Sequence, residues 1–376
     1  MTDRADVVII GAGLAGSGAA WALTQRGRSV TVLEQFAAGH DRGSSHGSAR
    51  IVRRAYGDGL YTRLTGRAFE LWREIELSSG ATLLRMLGGL DFGLRRNVPA
   101  VAAHLAAAGV PHEILPAAEA ELRWPGMRFE GDVVYHGQAG TLDAERAVET
   151  LLSLAAAAGA DVRHSSPAIA VSSDGRVRSA DGSQLSAETV VVAAGGWLGP
   201  LVGDFVALPQ LTITQQQIFH FPRVDPSAVP WPSMIHESAT SAVYHLAGGR
   251  DGGAADDRKI GQHDGGITCT ADTRTGVVNP EARERISAYV ARWLPGLSPV
   301  PSSETTCLYT ETPSEDFILD RAGSLVLCSP CSGHGAKFAP VIGELVADLV
   351  CGAADVVPER FRLTSHLSGR VGSVSL

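Results

Sequence analysis

Lysine is nearly missing from this chain of 376 residues: of its 32 basic residues only Lys259 and Lys337 are lysines, and the other 30 are arginines. A preference for arginine codons accounts for an emptied surface but not for the two that stay. A lysine ammonium is a compact point charge with a shiftable pKa, whereas a guanidinium is a planar fork that stays charged. Chance survival and a need for an ammonium are both open at each position. Net positive charge is lacking too. The sum of −8 with neutral histidine excludes a general nucleic-acid binder, whose contact face is basic. No long apolar run exists either: the most apolar stretch, residues 189–208, is broken by Gly195, Gly196, Gly199, Pro200, Gly203 and Asp204, which excludes a membrane span there. Cysteine is scarce, and five scattered residues form no disulfide framework, so a reducing cytosol is the expected compartment. No basic then apolar leader precedes residue 6, and a signal peptide is not expected. With 44% hydrophobic and 19% charged residues the chain is too apolar for disorder. At about 150 residues per domain its length makes two to three domain-sized units.

What is present begins at the first residues. Asp6-Val-Val-Ile-Ile-Gly11-Ala-Gly13-Leu14-Ala15-Gly16 is followed by alanine-rich sequence up to Gly27, which reads as strand, tight turn and helix. Gly11 permits the turn, Gly13 lets backbone approach a pyrophosphate, and Gly16 allows close helix–strand packing. Phosphates would then face a helix N-terminus, where free N–H groups and the helix dipole favour negative charge. Residues 29–34 read as the next strand, with Glu34 at its end able to accept hydrogen bonds from ribose hydroxyls. Two features favour FAD over NAD. A later run, Val190-Val-Val-Ala-Ala194-Gly195-Gly-Trp197, reads as another strand of the same sheet returning to the nucleotide, after a helix from Glu145 to Ala158 and short strands at 161–164 and 168–171. No second nicotinamide-type unit with its own glycine fingerprint follows.

Three further strings carry a resemblance. They are Gly43-Ser44-Ser45-His46-Gly-Ser-Ala-Arg50-Ile51-Val-Arg53, Cys307-Leu-Tyr309-Thr-Glu-Thr-Pro313 and Ser332-Gly333-His334-Gly335-Ala-Lys337-Phe. With the N-terminal fingerprint they resemble, in order and approximate spacing over nearly the whole chain, the monomeric sarcosine oxidase and N-methyltryptophan oxidase group of the D-amino-acid-oxidase superfamily. The resemblance implies an FAD enzyme in which Cys307 bonds the flavin 8α-methyl through sulfur. Lys337 and Arg53 would hold a substrate carboxylate, the first as a point charge and the second as a fork. Lys259, in Lys259-Ile-Gly-Gln-His263, would lie over the flavin and stabilise the charge that develops on O2, with His263 beside the substrate. His46 and Arg50 would line the opposite flavin face, and Tyr244 and Tyr309 the substrate cavity. His334 reads equally as a hydrogen-bonded structural residue, either tyrosine as core, and Cys307 by itself as a small buried hydrophobe. Leu14, Ala15, Gln35, Ser44, Ser45, Ile51, Ala168, Ala194, Gly195, Trp197 and the loop Gly333-His334-Gly335 complete the expected FAD contacts. Both lysines of the chain thus fall where this group uses a lysine.

The sequence also departs from the group. Residues 246–258 form a longer, glycine-rich stretch that reads as a mobile loop or lid. Ala336 and Cys331 stand where larger side chains are usual, which reshapes the pocket and leaves sarcosine itself open as the substrate. Cys328-Ser-Pro-Cys331 has CxxC spacing without a second pair, so strand-end cysteines are expected and no metal. Arg54 reads as a solvated or structural charge. The expected fold is α/β: a discontinuous, Rossmann-like FAD-binding domain of glutathione-reductase type from 1–84, 143–208 and 306–376. A second α+β substrate domain, 85–142 and 209–305, is expected on an antiparallel sheet, with 280–294 helical. The expected reaction is oxidation of an amino acid's secondary or tertiary amine, N-methyl first, with O2 reduced to hydrogen peroxide by a cytoplasmic monomer. A cyclic imino acid oxidase, a dehydrogenase with another electron acceptor and a flavin-binding module without catalysis stay open.

Overall fold

The computed structural model describes residues 3–368 apart from 226, 228 and 254–256. Asp3–Ile10 and Val30–Leu33 lie parallel, with Val7 opposite Val30 and Ile10 opposite Leu33, and the helix Leu14–Gln25 connects them. On its other side the first strand pairs in parallel with Gln184–Val192, Val8 opposite Val190. The run around Val190 therefore does return to the nucleotide strand. Gln184–Val192 divides its free edge between two partners: Arg176–Ser179 runs antiparallel to its start, and Leu325–Ser329 runs parallel to its end. Eight strands complete this sheet.

Alternation explains why its strands read as unbroken apolar runs. Val7, Ile9, Val32 and Val191 face one layer, and Val8, Ile10, Leu33, Val190 and Val192 face the other, so both faces are covered. The first layer is made by Leu14–Gln25 and Ala339–Val350, whose backbones touch. A Cβ at Gly18 would lie 2.4 Å from the Ala339 carbonyl oxygen, and one at Gly343 would lie 2.2 Å from that of Gly18.

Among the described residues the second sheet has nine strands, in the order 267–268, 212–221, 258–262, 242–247, 233–237, 89–92, 133–136 and 112–115, with 303–311 along the other edge of 212–221. It is antiparallel except at one ladder, where Ser233–Glu237 runs parallel to Gly89–Phe92; the all-antiparallel expectation fails there. The helix Pro280–Trp293 covers it with Ala282, Ile286 and Val290. Its start follows from sequence: Asn279 caps the backbone N–H groups of Glu281 and Ala282, and Pro280 needs no donor.

Strands pair across the expected boundaries at two places. Arg50–Arg53, Ala139–Leu142 and Leu84–Met86 make a three-stranded sheet, so divisions at 84/85 and 142/143 cut through it. Ser303–Glu311 pairs along its length with Thr212–Phe221, and Cys307 therefore rides on the second sheet. No glycine or proline interrupts 303–311, so nothing in the chain stops that strand at 306. Among the described residues no helix is long and apolar enough to cross a membrane.

Candidate active site

A cavity of about 640 Å³ runs from the first glycine turn, at the carboxyl ends of the parallel strands, to Lys337 under the second sheet. Its nucleotide end is built from backbone. Gly11 has φ +99°, and a Cβ there would lie 2.5 Å from the Ala193 carbonyl oxygen; at Gly13 it would lie 2.9 Å from Ser45 Oγ. Gly16 is not in the cavity wall. It packs beneath the turn, where a Cβ would come 1.8 Å from the Gly11 oxygen. The Leu14 N–H donates to Ser45 Oγ at 3.0 Å, and no acidic side chain occupies the helix's first turn, which leaves that turn suited to phosphate. Glu34 accepts from Ala12 N–H at 2.9 Å and Phe36 N–H at 3.0 Å, with His40 at 3.4 Å. Burial alone would raise its pKa, but His40 and the two N–H groups hold it below the usual value. Ala15, Gln35, Ser44, Ile51 and Ala168 line the same space, as do Ala194, Gly195 and Trp197.

Further in, Cys307 is buried. Arg50 Nη2 lies 3.7 Å from its sulfur, and Arg50 is itself held by the carbonyls of Ser44, His46 and Ala49. Burial would push this thiol up, yet Arg50, His46 and Lys259 together bring it down to about 6. Lys259 is 3% exposed and donates to the Ala49 carbonyl at 2.9 Å. Burial and then Arg50 lower its pKa to about 7, opposed by Cys307 and Asp251. Asp251 belongs to the glycine-rich stretch, whose residues 254–256 lie outside the described ones. The described part is docked rather than free: Asp251 accepts from Ser48 N–H at 2.8 Å and donates its own N–H to Ser48 Oγ, while Arg250 pairs with Asp143 and Glu145.

The inner end joins Arg53, Lys337, His263, His334, Tyr244 and Tyr309 on one wall system. Lys337 donates to Tyr56 Oη at 2.9 Å and to the His334 carbonyl at 2.6 Å, and Trp72 Nε1 holds its own carbonyl at 2.8 Å. Burial, and then Arg53, push its pKa well below the ordinary value. The Arg53 guanidinium lies 4.3 Å from the centre of the Tyr56 ring. Arg53 Nη1 donates to the Ala55 carbonyl and lies 3.5 Å from Asp91 Oδ1. His334 is hydrogen-bonded on both ring nitrogens, to Tyr56 and to the Glu315 carbonyl, so its side chain acts as a brace. His263 differs: its buried Nε2 has no partner among the described residues, and burial takes its pKa down to about 4. Gly333 fits between His263 and Tyr309, where a Cβ would meet their rings at 2.5 and 2.6 Å. Its φ is +72°, and Gly335 behind it leaves no room either, with the Pro330 oxygen 1.5 Å from a Cβ. Tyr244 and Tyr309 are half-buried and face the cavity. Ala336 and Cys331 line it too, and Cys331 accepts from Thr310 N–H at 3.3 Å. Arg54 is structural, bonded to Gln138 and Thr62.

Sequence reasoning missed Tyr56, Asp91 and Asp251. An acid inside Gly-Leu-Asp91-Phe, an otherwise apolar strand, is a usable signal for a buried charge; the other two have none.

The chain was compared with known proteins. Residues 6–349 match the family model described as FAD dependent oxidoreductase. It is 35% identical to monomeric sarcosine oxidase of Streptomyces avermitilis, over 93% of this chain and 94% of that one. It is 30% identical to N-methyl-L-tryptophan oxidase of Yersinia pestis, over 91% and 94%. A solved structure of NikD, an amino acid oxidase essential for nikkomycin biosynthesis, superposes with a TM-score of 0.84 at 25% identity, covering 100% of this chain and 99% of that one.

Proposed function

The chain belongs to the family of FAD-dependent oxidoreductases, and from that premise we propose that it oxidises the secondary or tertiary amine of an amino acid, N-methyl first, to an imine while O2 becomes hydrogen peroxide. One observation carries the reading: both lysines of the chain are buried in the wall of a single cavity, one beside Cys307 and Arg50, the other beside Arg53. The residues fit FAD. The turn at Gly11 and Gly13 leaves no room for side chains, a thiol of low pKa stands further in, and His263 Nε2, buried and without a partner among the described residues, lies at the inner end.

When bound, FAD would supply a two-electron acceptor for the hydride equivalent lost from the carbon next to the amine nitrogen, and a route for those two electrons to O2. Arg53 and Lys337 hold the carboxylate and so fix which C–H bond is presented. The amine must be deprotonated to stabilise the forming iminium. His263, neutral at physiological pH, places no further cation beside it. Lys259 holds positive charge where O2 is reduced. Cys307 as a thiolate would be the nucleophile for a thioether to the flavin 8α-methyl: the S–C bond replaces a methyl C–H bond, whose proton is lost and whose electron pair reduces the flavin until O2 takes it up. The enzyme acts as a cytoplasmic monomer in this reading. A cyclic imino acid is the second substrate class, favoured by the small Ala336 and Cys331 in the cavity wall; formaldehyde as product supports the first class and a cyclic imine the second.

Acid denaturation of the yellow protein tests the attachment. Colour retained on the peptide containing Cys307 supports it; release of free FAD removes the thioether and leaves the oxidase reading to substrate screening.

A further inference from the structure

Arg53 does not stand alone behind the cavity. Asp91 Oδ1, 3.5 Å from Arg53 Nη1, also accepts from Arg96 Nη2 at 2.5 Å, and Arg96 Nη1 donates to Glu237 Oε1 at 2.8 Å. All four residues are buried, Asp91 to 1% exposure. Asp91 comes from the strand Gly89–Phe92 and Glu237 from Ser233–Glu237, so the one parallel ladder of the second sheet holds both carboxylates. His136 lies against the same strand, and among the described residues neither of its ring nitrogens has a partner. Burial keeps it neutral, at about 4, so it adds no cation. Two guanidinium groups therefore face two carboxylates, and the set is balanced before any ligand arrives.

We infer that Asp91, held by Arg96, is the internal counter-ion and positioning residue of Arg53, and that it sets how tightly the cavity takes a carboxylate. The inference rests on the carboxylate site of the proposed function and adds what lies behind it. A guanidinium whose charge is already matched still offers its directed N–H groups, so Arg53 orients a carboxylate more than it attracts one. Lys337 is then the group whose counter-charge the ligand supplies, since its own acceptors, Tyr56 Oη and the His334 carbonyl, are neutral. A buried carboxylate next to the binding arginine also opposes a second anion. That holds affinity down, which favours release of a product that keeps its carboxylate.

The test uses flavin-loaded protein and acetate, with binding read from the perturbed visible spectrum. Asp91→Asn keeps the shape and removes the charge, and acetate should bind about tenfold tighter. Glu237→Gln, one step further away, should tighten it less, by about threefold, and serves if the first variant does not fold. In turnover of an N-methyl amino acid, Asp91→Asn should lower KM and kcat together, because the freed guanidinium holds the carboxylate more strongly and less accurately. Unchanged or weaker acetate binding in both variants would overturn the inference. Lys337→Met separates the two claims: it should weaken acetate, and no change there would remove the carboxylate site itself while leaving the Asp91 comparison readable.

Discussion

The two lysines share burial, rarity and one cavity, yet their surroundings differ in kind. Lys259 has Asp251 within its field, and Cys307 as well until the thioether forms, against burial and Arg50, which bring its pKa down to about 7. Lys337 has neutral acceptors and Arg53, and its pKa falls well below the ordinary value. The first ammonium has its counter-charge built into the fold; the second leaves that place for a ligand. A charge balanced within the fold suits O2, which arrives neutral and becomes negative only as it reacts. A charge completed by the substrate suits a group that must select a carboxylate and then let it go.

The comparison can be broken in graded ways. The largest effect is expected from Lys337→Met: KM for an N-methyl amino acid should rise about 100-fold, because a buried charge loses its partner. An amine of the same shape without the carboxylate should be unaffected, and equal losses for both would end the distinction between the lysines. Next comes proton uptake. Burial and Arg53 depress the Lys337 pKa and a carboxylate beside it raises it again, so acetate, which brings no amine proton, should bind with net proton uptake. Affinity should then fall as pH rises through the raised value. Calorimetry in buffers of different ionisation enthalpy measures this, and zero uptake would show that Lys337 is charged before binding. The smallest effect is that of Tyr56→Phe, which removes one acceptor from Lys337. Carboxylate affinity should change by about three- to tenfold, with reoxidation by O2 unaltered in stopped flow; a slowed reoxidation would tie Tyr56 to the wrong lysine.

How much of this was legible in sequence follows from what each feature depends on. The glycine turn, Glu34 and the helix behind them are local, since every contact is set within a short strand–turn–helix unit. The lysines stood out because almost everything else basic is arginine. Cys307 was found by its string, but its place on the second sheet was not, because pairing with residues 212–221 is a matter of long-range register. Asp251 meets Ser48 across 203 residues, and Tyr56 joins Lys337 across 281; no local pattern encodes either contact. In the described part of the expected lid at 246–258, Arg250 and Asp251 supply anchors that glycine content alone does not foretell.

The most direct measurement of the account follows both halves of the reaction by stopped flow in the unaltered enzyme, Lys259→Met and Lys337→Met. Flavin is first reduced anaerobically by an N-methyl amino acid and then mixed with O2. Lys259→Met should reduce at a nearly normal rate and reoxidise about 100-fold slower, while Lys337→Met should need far more amine for reduction and reoxidise normally. If both variants slow the same step, the division of labour between the two ammonium groups is wrong.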